Sequence, residues 1–224
     1  MPEYSIGLDL GGTNLRAAAI GRSGEVIEKI SGSVTFSEGR EAVMSEMVNA
    51  LARLRDKYGS SGLAGIGMGV PGFIALKEGV IRSSPNLPFL INFPIREEIE
   101  GRLGTSVILE NDANAAALGE KWMGAGRTVD DLVLLTLGTG VGGGIIAGGR
   151  VIRGYMGMAG ELGHITAVPN GNPCLCGSQG CLEKHASATA ITAMARLMYL
   201  GENLTAKQVF EIARQSGEAA ARSL

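Results

Sequence analysis

The alternation of hydrophobic and polar residues predicts three short strands at the start of the chain. The segments 5–9, 14–20 and 26–33 are apolar or alternating, and turns containing glycine separate them. This pattern is typical of strands joined as antiparallel hairpins. From about residue 38 to 58 the apolar positions instead recur with a helical period, so a long amphipathic helix is predicted there.

Strands and helices then alternate along the chain. Buried strands are predicted at 63–70 and 106–109, with a helix at 94–103 between them. The alanine-rich segment 112–123 favours another helix, and the glycines that follow it favour its end. This order of elements predicts an α/β fold with a mixed sheet.

A second strand-turn-strand pattern follows at 132–146 and is similar to the opening one. The likeness is either an internal duplication or a coincidence, and the sequence leaves both interpretations open. Residues 148–180 are glycine-rich and irregular, whereas 182–199 and 205–224 have helical patterns.

Composition and charge argue against several classes of function. The chain has 224 residues with a formal net charge of -2, and 45% of the residues are hydrophobic. This balance argues against disorder and against non-specific nucleic-acid binding. No apolar run approaches the ~18 residues of a membrane span, and the N-terminus lacks a signal-peptide pattern. We therefore expect a cytoplasmic protein with no membrane or nucleic-acid partner.

Two turns rich in glycine and threonine are candidate phosphate-binding sites. Glycine allows close backbone approach, and successive N–H groups with a threonine hydroxyl form a concave anion site. The turns are Gly11-Gly12-Thr13 and Gly138-Thr139-Gly140. Two such turns, one in each half, predict a cleft that closes on the same phosphates. Hairpin turns without a ligand are the alternative.

Asp9 lies in an apolar run immediately before the first turn. Because a buried carboxylate without a partner is unfavourable, we expect a cation or N–H donors beside it. The turn that follows lacks the lysine of a Walker loop. Asp9 acting through Mg²⁺ is therefore the expected partner for phosphate charge.

Three polar residues, Glu110, Asn111 and Asp112, end the predicted strand before the alanine-rich helix. Polar groups at the carboxyl ends of strands usually face the ligand crevice of α/β proteins. Asp112 is therefore a candidate general base. The alternative is that Asn111 or Asp112 only caps the helix.

One histidine and three cysteines form the strongest local signal. Three thiolates and one imidazole complete the tetrahedral ligand set of a structural zinc site, and three clustered cysteines cannot all pair as disulfides. The residues are His164, Cys174, Cys176 and Cys181. Glu161 and Glu183 flank this segment, and such carboxylates suit the hydroxyls of a polyol ligand. Solvated surface charges are the alternative for both.

Six motifs together resemble the ROK family of sugar kinases. They are DLGGT at 9–13, PNL at 85–87, ENDANAAALGE at 110–120, LGTGVGGGI at 137–145, GELGH at 160–164 and CLCGSQGCLE at 174–183. Their order and spacing match across nearly the whole chain. Actin-like and Hsp70-like ATPases share the phosphate hairpins but not the zinc segment. Within the family, the stretch CLEKHASATAI is most similar to bacterial glucokinases.

The resemblance implies a fold, an activity and cofactors. The expected fold is the ribonuclease-H-like fold of the actin-like ATPase superfamily, with domains at 1–112 and 113–224. The expected reaction is ATP-dependent phosphorylation of a hexose, glucose to glucose 6-phosphate, with ATP, Mg²⁺ and a structural Zn²⁺, in a homodimer. Family kinases continue beyond the position that matches residue 224, so we expect the C-terminal, adenosine-binding part to be missing from this sequence.

The resemblance also assigns roles residue by residue. Asp112 matches the base that takes the proton from the sugar 6-hydroxyl. The sugar-contacting positions match Asn86, Asn111, Asp112, Glu161, His164 and Glu183. The phosphate loops match Gly11, Gly12, Thr13, Gly138, Thr139 and Gly140, with Asp9 positioning the metal. The zinc ligands match His164, Cys174, Cys176 and Cys181.

Other functions stay open on the sequence. The substrate is alternatively another hexose or an N-acetyl hexosamine, because a pocket difference of one small group changes discrimination by only about 1–3 kcal/mol. A sugar-binding regulatory protein without catalysis is a second alternative. An actin- or Hsp70-like ATPase is a third.

Overall fold

A computed structural model of the chain describes residues 3–11, 14–34, 36–84, 87–198 and 200–215. Contacts divide the chain into two units. Unit 1 contains residues 1–132 and 145–159, and unit 2 contains residues 133–144 and 160–224.

Unit 1 is built on a five-stranded mixed sheet. Its strands are β1 (Tyr4–Leu10), β2 (Asn14–Gly21), β3 (Val26–Ser33), β4 (Leu63–Val70) and β7 (Val107–Asn111). Their order across the sheet is β3-β2-β1-β4-β7. The β1–β2 and β2–β3 pairs are antiparallel, and β4 runs parallel to both β1 and β7. This arrangement brings the ends of β1 and β7 to one edge of the sheet, because parallel strands end on the same side.

Three helices pack with this sheet. They are α1 (Arg40–Tyr58), α2 (Ile95–Leu103) and α3 (Asp112–Met123). The buried side of α1 carries Met44, Met47, Leu51 and Leu54, which belong to the same hydrophobic core as the inward-facing strand residues. The helical period of these positions is the reason that the sequence predicts α1 correctly.

A small hairpin lies beside the sheet and is absent from the sequence prediction. It consists of β5 (Phe73–Ala75) and β6 (Val80–Ser83), which are antiparallel. Strands of three and four residues are too short to show an alternating pattern, so only the turn between them leaves a sequence signal. Gly79 in that turn has φ 71°, a backbone conformation that favours glycine.

A second sheet has the strand order β10-β9-β8. Its strands are β8 (Leu132–Leu137), β9 (Val141–Ala147) and β10 (Arg150–Val151). The helices of unit 2 are α4 (Glu183–Ala186), α5 (Ala188–Leu197) and α6 (Ala206–Gln215). The predicted continuous helix at 182–199 is wrong, because Ser187 separates α4 from α5 and caps α5 by accepting a hydrogen bond from the Ala190 N–H at 3.1 Å. For the predicted helix at 205–224, residues 216–224 lie outside the described part of the chain.

The mixed α/β fold agrees with the sequence prediction. The structure groups α3 with unit 1, whereas the sequence assigns residues from 113 onward to the second domain. The reason is packing: α3 lies against β4 and β7, and a side chain at Gly69 would come within van der Waals range of the Cα of Asp112 and the Cβ of Ala115. Of the helices that the structure describes, none has the length and apolar character needed to cross a membrane.

Candidate functional site

Asp112 begins α3 at the end of β7, and its neighbour Asn111 caps the helix. The Oδ1 atom of Asn111 accepts hydrogen bonds from the N–H groups of Ala113 and Asn114, at 3.0 and 3.1 Å. The capping alternative raised by the sequence therefore applies to Asn111. Asp112 accepts a hydrogen bond from Ala113 at 2.9 Å.

The environment of Asp112 favours its neutral form relative to a solvated aspartate. Burial raises the pKa of the Asp112 carboxyl, the Ala113 N–H lowers it, and the negative charge of Asp9 raises it further. A carboxyl with a raised pKa is a stronger base once ionised, which suits general base catalysis. The influence of Asp9 also means that the two carboxylates lie in one region of unit 1.

Asp9 has the cation that the sequence predicts, but it is not fully buried. Asp9 pairs with Arg16 across the β1–β2 ladder, and Arg16 Nη1 lies 3.4 Å from its Oδ2. The Asp9 side chain is 49% exposed. Two neighbouring carboxylates with solvent access are suitable ligands for a hard divalent cation.

The first glycine turn is only partly described. The N–H of Gly11 donates to the carbonyl of Asn14 at 2.9 Å, which closes the hairpin between β1 and β2. The predicted phosphate residues Gly12 and Thr13 lie outside the described residues, as does the predicted sugar contact Asn86.

The second glycine turn joins β8 to β9 in unit 2. Gly138 donates its N–H to the carbonyl of Gly140 at 3.0 Å, and the Thr189 hydroxyl donates to the carbonyl of Thr139 at 2.7 Å. No acceptor in the described part of the chain receives a hydrogen bond from the N–H groups of Thr139 and Gly140. A fixed turn with N–H donors still available fits the binding of phosphate oxygens.

Glu183, at the start of α4, holds this turn. Its Oε2 atom accepts a hydrogen bond from the Val141 N–H at 3.1 Å. The same atom lies where a side chain at Gly140 would have to be, so a larger residue there would displace this carboxylate. Lys184 Nζ lies 4.0 Å from the other carboxylate oxygen. The predicted sugar contact Glu183 therefore also orders the predicted phosphate turn.

The four predicted zinc ligands are brought together in unit 2. Their potential ligand atoms lie within 4.8 Å of one another. His164 Nδ1 is 3.5 Å from Cys174 Sγ, and Cys176 Sγ is 3.6 Å from Cys181 Sγ. A tetrahedral zinc ion with Zn–S bonds of about 2.3 Å separates its sulfur ligands by about 3.8 Å. The donor set and its spacing therefore fit zinc.

Short-range contacts shape the zinc segment. Cys174 donates its N–H to Ser178 at 2.8 Å, and Gly180 donates to Asn172 at 2.8 Å. Gly180 has φ 72°, and a side chain there would overlap the Val168 carbonyl.

Burial raises the pKa of the Cys181 thiol to about 11, so this buried thiol requires a cation if it is to bind as thiolate.

Glu161 and His164 lie on either end of a short 3-10 helix, Leu162–His164. Gly163 packs against β9 so closely that a side chain there would overlap the Val141 carbonyl. Since the Nδ1 atom of His164 faces the cysteines, its Nε2 atom is the ring nitrogen left for another partner. Glu161 and His164 thus occupy one segment with the zinc ligands, as the sequence predicts.

The structure adds an ion pair in unit 1 that sequence reasoning missed. Arg153 donates to Glu110 Oε2 from Nε at 2.8 Å and from Nη2 at 2.5 Å. Glu110 is 8% exposed, and its Oε1 atom accepts from the Asn111 N–H at 3.0 Å and from Asn114 Nδ2 at 3.3 Å. The local sequence, with Arg150 and Arg153 in one short segment, does not single out Arg153, and its partner is 43 residues away.

Comparisons with known proteins agree with the motifs. The model of the ROK family matches residues 5–224. A glucokinase of Thermotoga maritima is 40% identical to this chain and is matched over 96% of the chain and 71% of its own length. A glucokinase of Halalkalibacterium halodurans is 44% identical over 86% of the chain, which spans 59% of that relative.

A solved structure gives the same result for the fold. The crystal structure of a ROK family glucokinase from Streptomyces griseus in complex with glucose and AMPPNP is similar to this chain, with a TM-score of 0.79 and 34% sequence identity. The match covers 98% of this chain and 74% of that chain. The predicted fold class is therefore confirmed.

Proposed function

This chain belongs to the ROK family, and from that premise we propose that it phosphorylates a hexose with ATP, converting glucose to glucose 6-phosphate. The observation that carries the proposal is the Asp112 carboxyl, which begins α3 beside Asp9 and has a raised pKa. Among the hexoses, glucose is the proposed substrate because the relatives at 40% and 44% identity are glucokinases.

The chain's own residues have distinct roles in the proposed reaction. Asp112 takes the proton from the attacking sugar hydroxyl, and Asp9 positions the metal. The turns at 11–13 and 138–140 bind phosphate oxygens through backbone N–H groups. When bound, Mg-ATP supplies the transferable phosphoryl group and neutralises its charge.

Zinc has a structural role in this proposal. His164, Cys174, Cys176 and Cys181 hold the ion, and His164 keeps its Nε2–H as a donor for a sugar oxygen. Glu161 and Glu183 accept hydrogen bonds from sugar hydroxyls, and Asn86 and Asn111 in unit 1 contact the sugar through their side-chain amides. We place the enzyme in the cytoplasm as a homodimer, by resemblance to the family.

A coupled assay of ADP release tests the proposal. Glucose, mannose, fructose, N-acetylglucosamine and N-acetylmannosamine are compared as acceptors, and we expect the highest kcat/KM with glucose. Asp112→Asn should lower kcat by roughly 10²- to 10⁴-fold, because the amide cannot accept the proton. Asp56→Asn, which changes an exposed carboxylate of the same unit, is the matched control and should retain full activity.

Three outcomes would contradict parts of this proposal. ADP release that does not depend on any hexose argues against a sugar kinase. Sugar binding measured by calorimetry without turnover favours a regulatory protein. Full activity of Asp112→Asn removes Asp112 as the base.

A further inference from the structure

Glu110, whose buried carboxylate pairs with the half-exposed guanidinium of Arg153, lies close in sequence to the proposed base. Glu110 is two residues before Asp112, and all four of its hydrogen bonds come from groups in unit 1. One oxygen faces Arg153, and the other faces the first turn of α3. The carboxylate therefore connects Arg153 to the helix start that carries Asp112.

The charge of Arg153 is what keeps Glu110 in this position. A buried carboxylate that loses its cation is strongly destabilised, so it turns toward water or becomes protonated. Either change removes an acceptor from the Asn111 N–H and from the Asn114 side chain. Asn111 is the residue whose own side chain caps α3, so the loss extends to the first helical turn.

Backbone hydrogen bonds fix the chain at Arg153 and at the residue before it. Ile152 donates its N–H to the carbonyl of Ile145 at 2.8 Å, and Ala159 donates to the carbonyl of Arg153 at 3.1 Å. Gly154 and Gly157 have φ values of 69° and 81°, which allow the chain to turn back between these bonds. The backbone on either side of Arg153 is therefore fixed, although its side chain is 43% exposed.

We propose that Glu110 and Arg153 are positioning residues that set the orientation of the Asp112 carboxylate. The proposal rests on the function proposed above. Neither residue is assigned a contact with the reacting atoms. Their effect passes through the Asn111 backbone and the first turn of α3.

Enzyme kinetics of three variants test the catalytic part of this proposal. Displacement of a reacting group by about 1 Å lowers rates by on the order of 10²-fold, so Arg153→Met should lower kcat about 10- to 100-fold while the glucose KM changes by less than about threefold. Arg153→Lys keeps the charge with fewer hydrogen bonds and should restore part of kcat. Glu110→Gln keeps a single acceptor oxygen and should resemble Arg153→Met.

Hydrogen–deuterium exchange tests the structural part without requiring activity. Arg153→Met should increase exchange in the first turn of α3, at residues 111–115. Arg102→Met is the matched control, because Arg102 also donates to carboxylates in unit 1, those of Glu41 and Glu98, but at the exposed surface between α1 and α2. This control should leave both kcat and α3 exchange at wild-type values.

The outcomes separate this proposal from the proposed function. Unchanged exchange in α3 overturns the positioning role whatever the activity. Faster exchange with kcat within twofold of wild type also overturns it, since the network would then stabilise the helix without orienting the base. If the wild-type chain shows no hexose-dependent turnover, the proposed function fails, and the role of the pair in catalysis fails with it; the exchange result then decides only whether the pair orders the helix.

Discussion

At the scale of single residues, the carboxylates of Asp9 and Asp112 determine the pH behaviour of the proposed site. Burial and the charge of Asp9 raise the pKa of Asp112 in the folded chain. The folded chain thus binds more protons than the unfolded chain between the ordinary and the raised pKa. This carboxyl contributes stability at low pH that is lost as the pH rises through the folded pKa.

Asp112→Asn should therefore be at least as stable as wild type at pH 8, and the difference should vanish below about pH 4, the ordinary range of an aspartate pKa. Thermal unfolding of both proteins across this pH range measures the effect. A variant that is clearly less stable than wild type at pH 8 would show that the carboxylate has a stabilising partner.

The same argument predicts the acid limb of the activity profile. The base must be ionised, so kcat/KM should fall at a pH above the ordinary aspartate value of about 3.9. Asp9→Asn removes a charge that raises the pKa of Asp112, and the limb should move to lower pH even if the maximal rate falls. Asp131→Asn, another aspartate of unit 1, is the control and should leave the limb in place.

At the scale of elements, sequence prediction succeeded where the signal is local. The bounds of α3 are predicted to the residue, because alanines favour the helix, Asn111 caps it and glycine follows it. The β5–β6 hairpin and the break at Ser187 were missed. Very short strands carry no periodicity, and a cap inside a helical pattern looks like any other polar residue.

Within the candidate site, too, the residues with a local sequence signal were found and those that depend on tertiary contacts were not. The zinc ligands were found because their residue types and spacing are themselves the signal, and the structure brings all four together. The pair of Glu110 and Arg153 depends on tertiary contact between distant segments, and no local pattern encodes it. Asp9 was expected to be buried because it lies in an apolar run, but its side chain faces the exposed side of the hairpin beside Arg16.

The exposed apolar side chains of the edge strand β8 predict self-association. Among the strands that the structure describes, β8 has only β9 as a neighbour, and Val133, Leu135 and Leu137 are 62%, 49% and 71% exposed. An apolar edge strand with unpaired backbone groups is a template for pairing with another chain. This 224-residue chain should therefore associate with increasing concentration in sedimentation experiments.

Charged substitutions on β8 should reduce this association. We expect the double variant Val133→Lys and Leu135→Lys to sediment at a lower average mass than wild type at the same concentration. Val26→Lys is the control, because Val26 is 61% exposed but lies at the start of β3 in the five-stranded sheet. Equal masses for the wild type and the double variant would show that β8 is not the contact.

At the scale of the whole molecule, different interactions stabilise the structures of the two units. Unit 1 has a continuous hydrophobic core between the five-stranded sheet and its helices. The zinc segment of unit 2 is instead held by turns, isolated bridges and the four ligand side chains. The order of this segment should therefore depend on the metal, whereas the order of unit 1 should not.

Chelation of zinc should separate these dependences. Native mass spectrometry should detect one zinc ion per chain, and its removal should increase hydrogen exchange at residues 161–183 while β1 and β4 stay protected. Glucose affinity should fall as well, because Glu161, His164 and Glu183 lie in or next to the released segment.

Cys176→Ser should reproduce the effect of chelation, and Ser178→Ala in the same loop should not. Loss of zinc with unchanged exchange and glucose affinity would mean that the ion does not order the sugar-binding residues, and His164 would then have no link between metal and substrate.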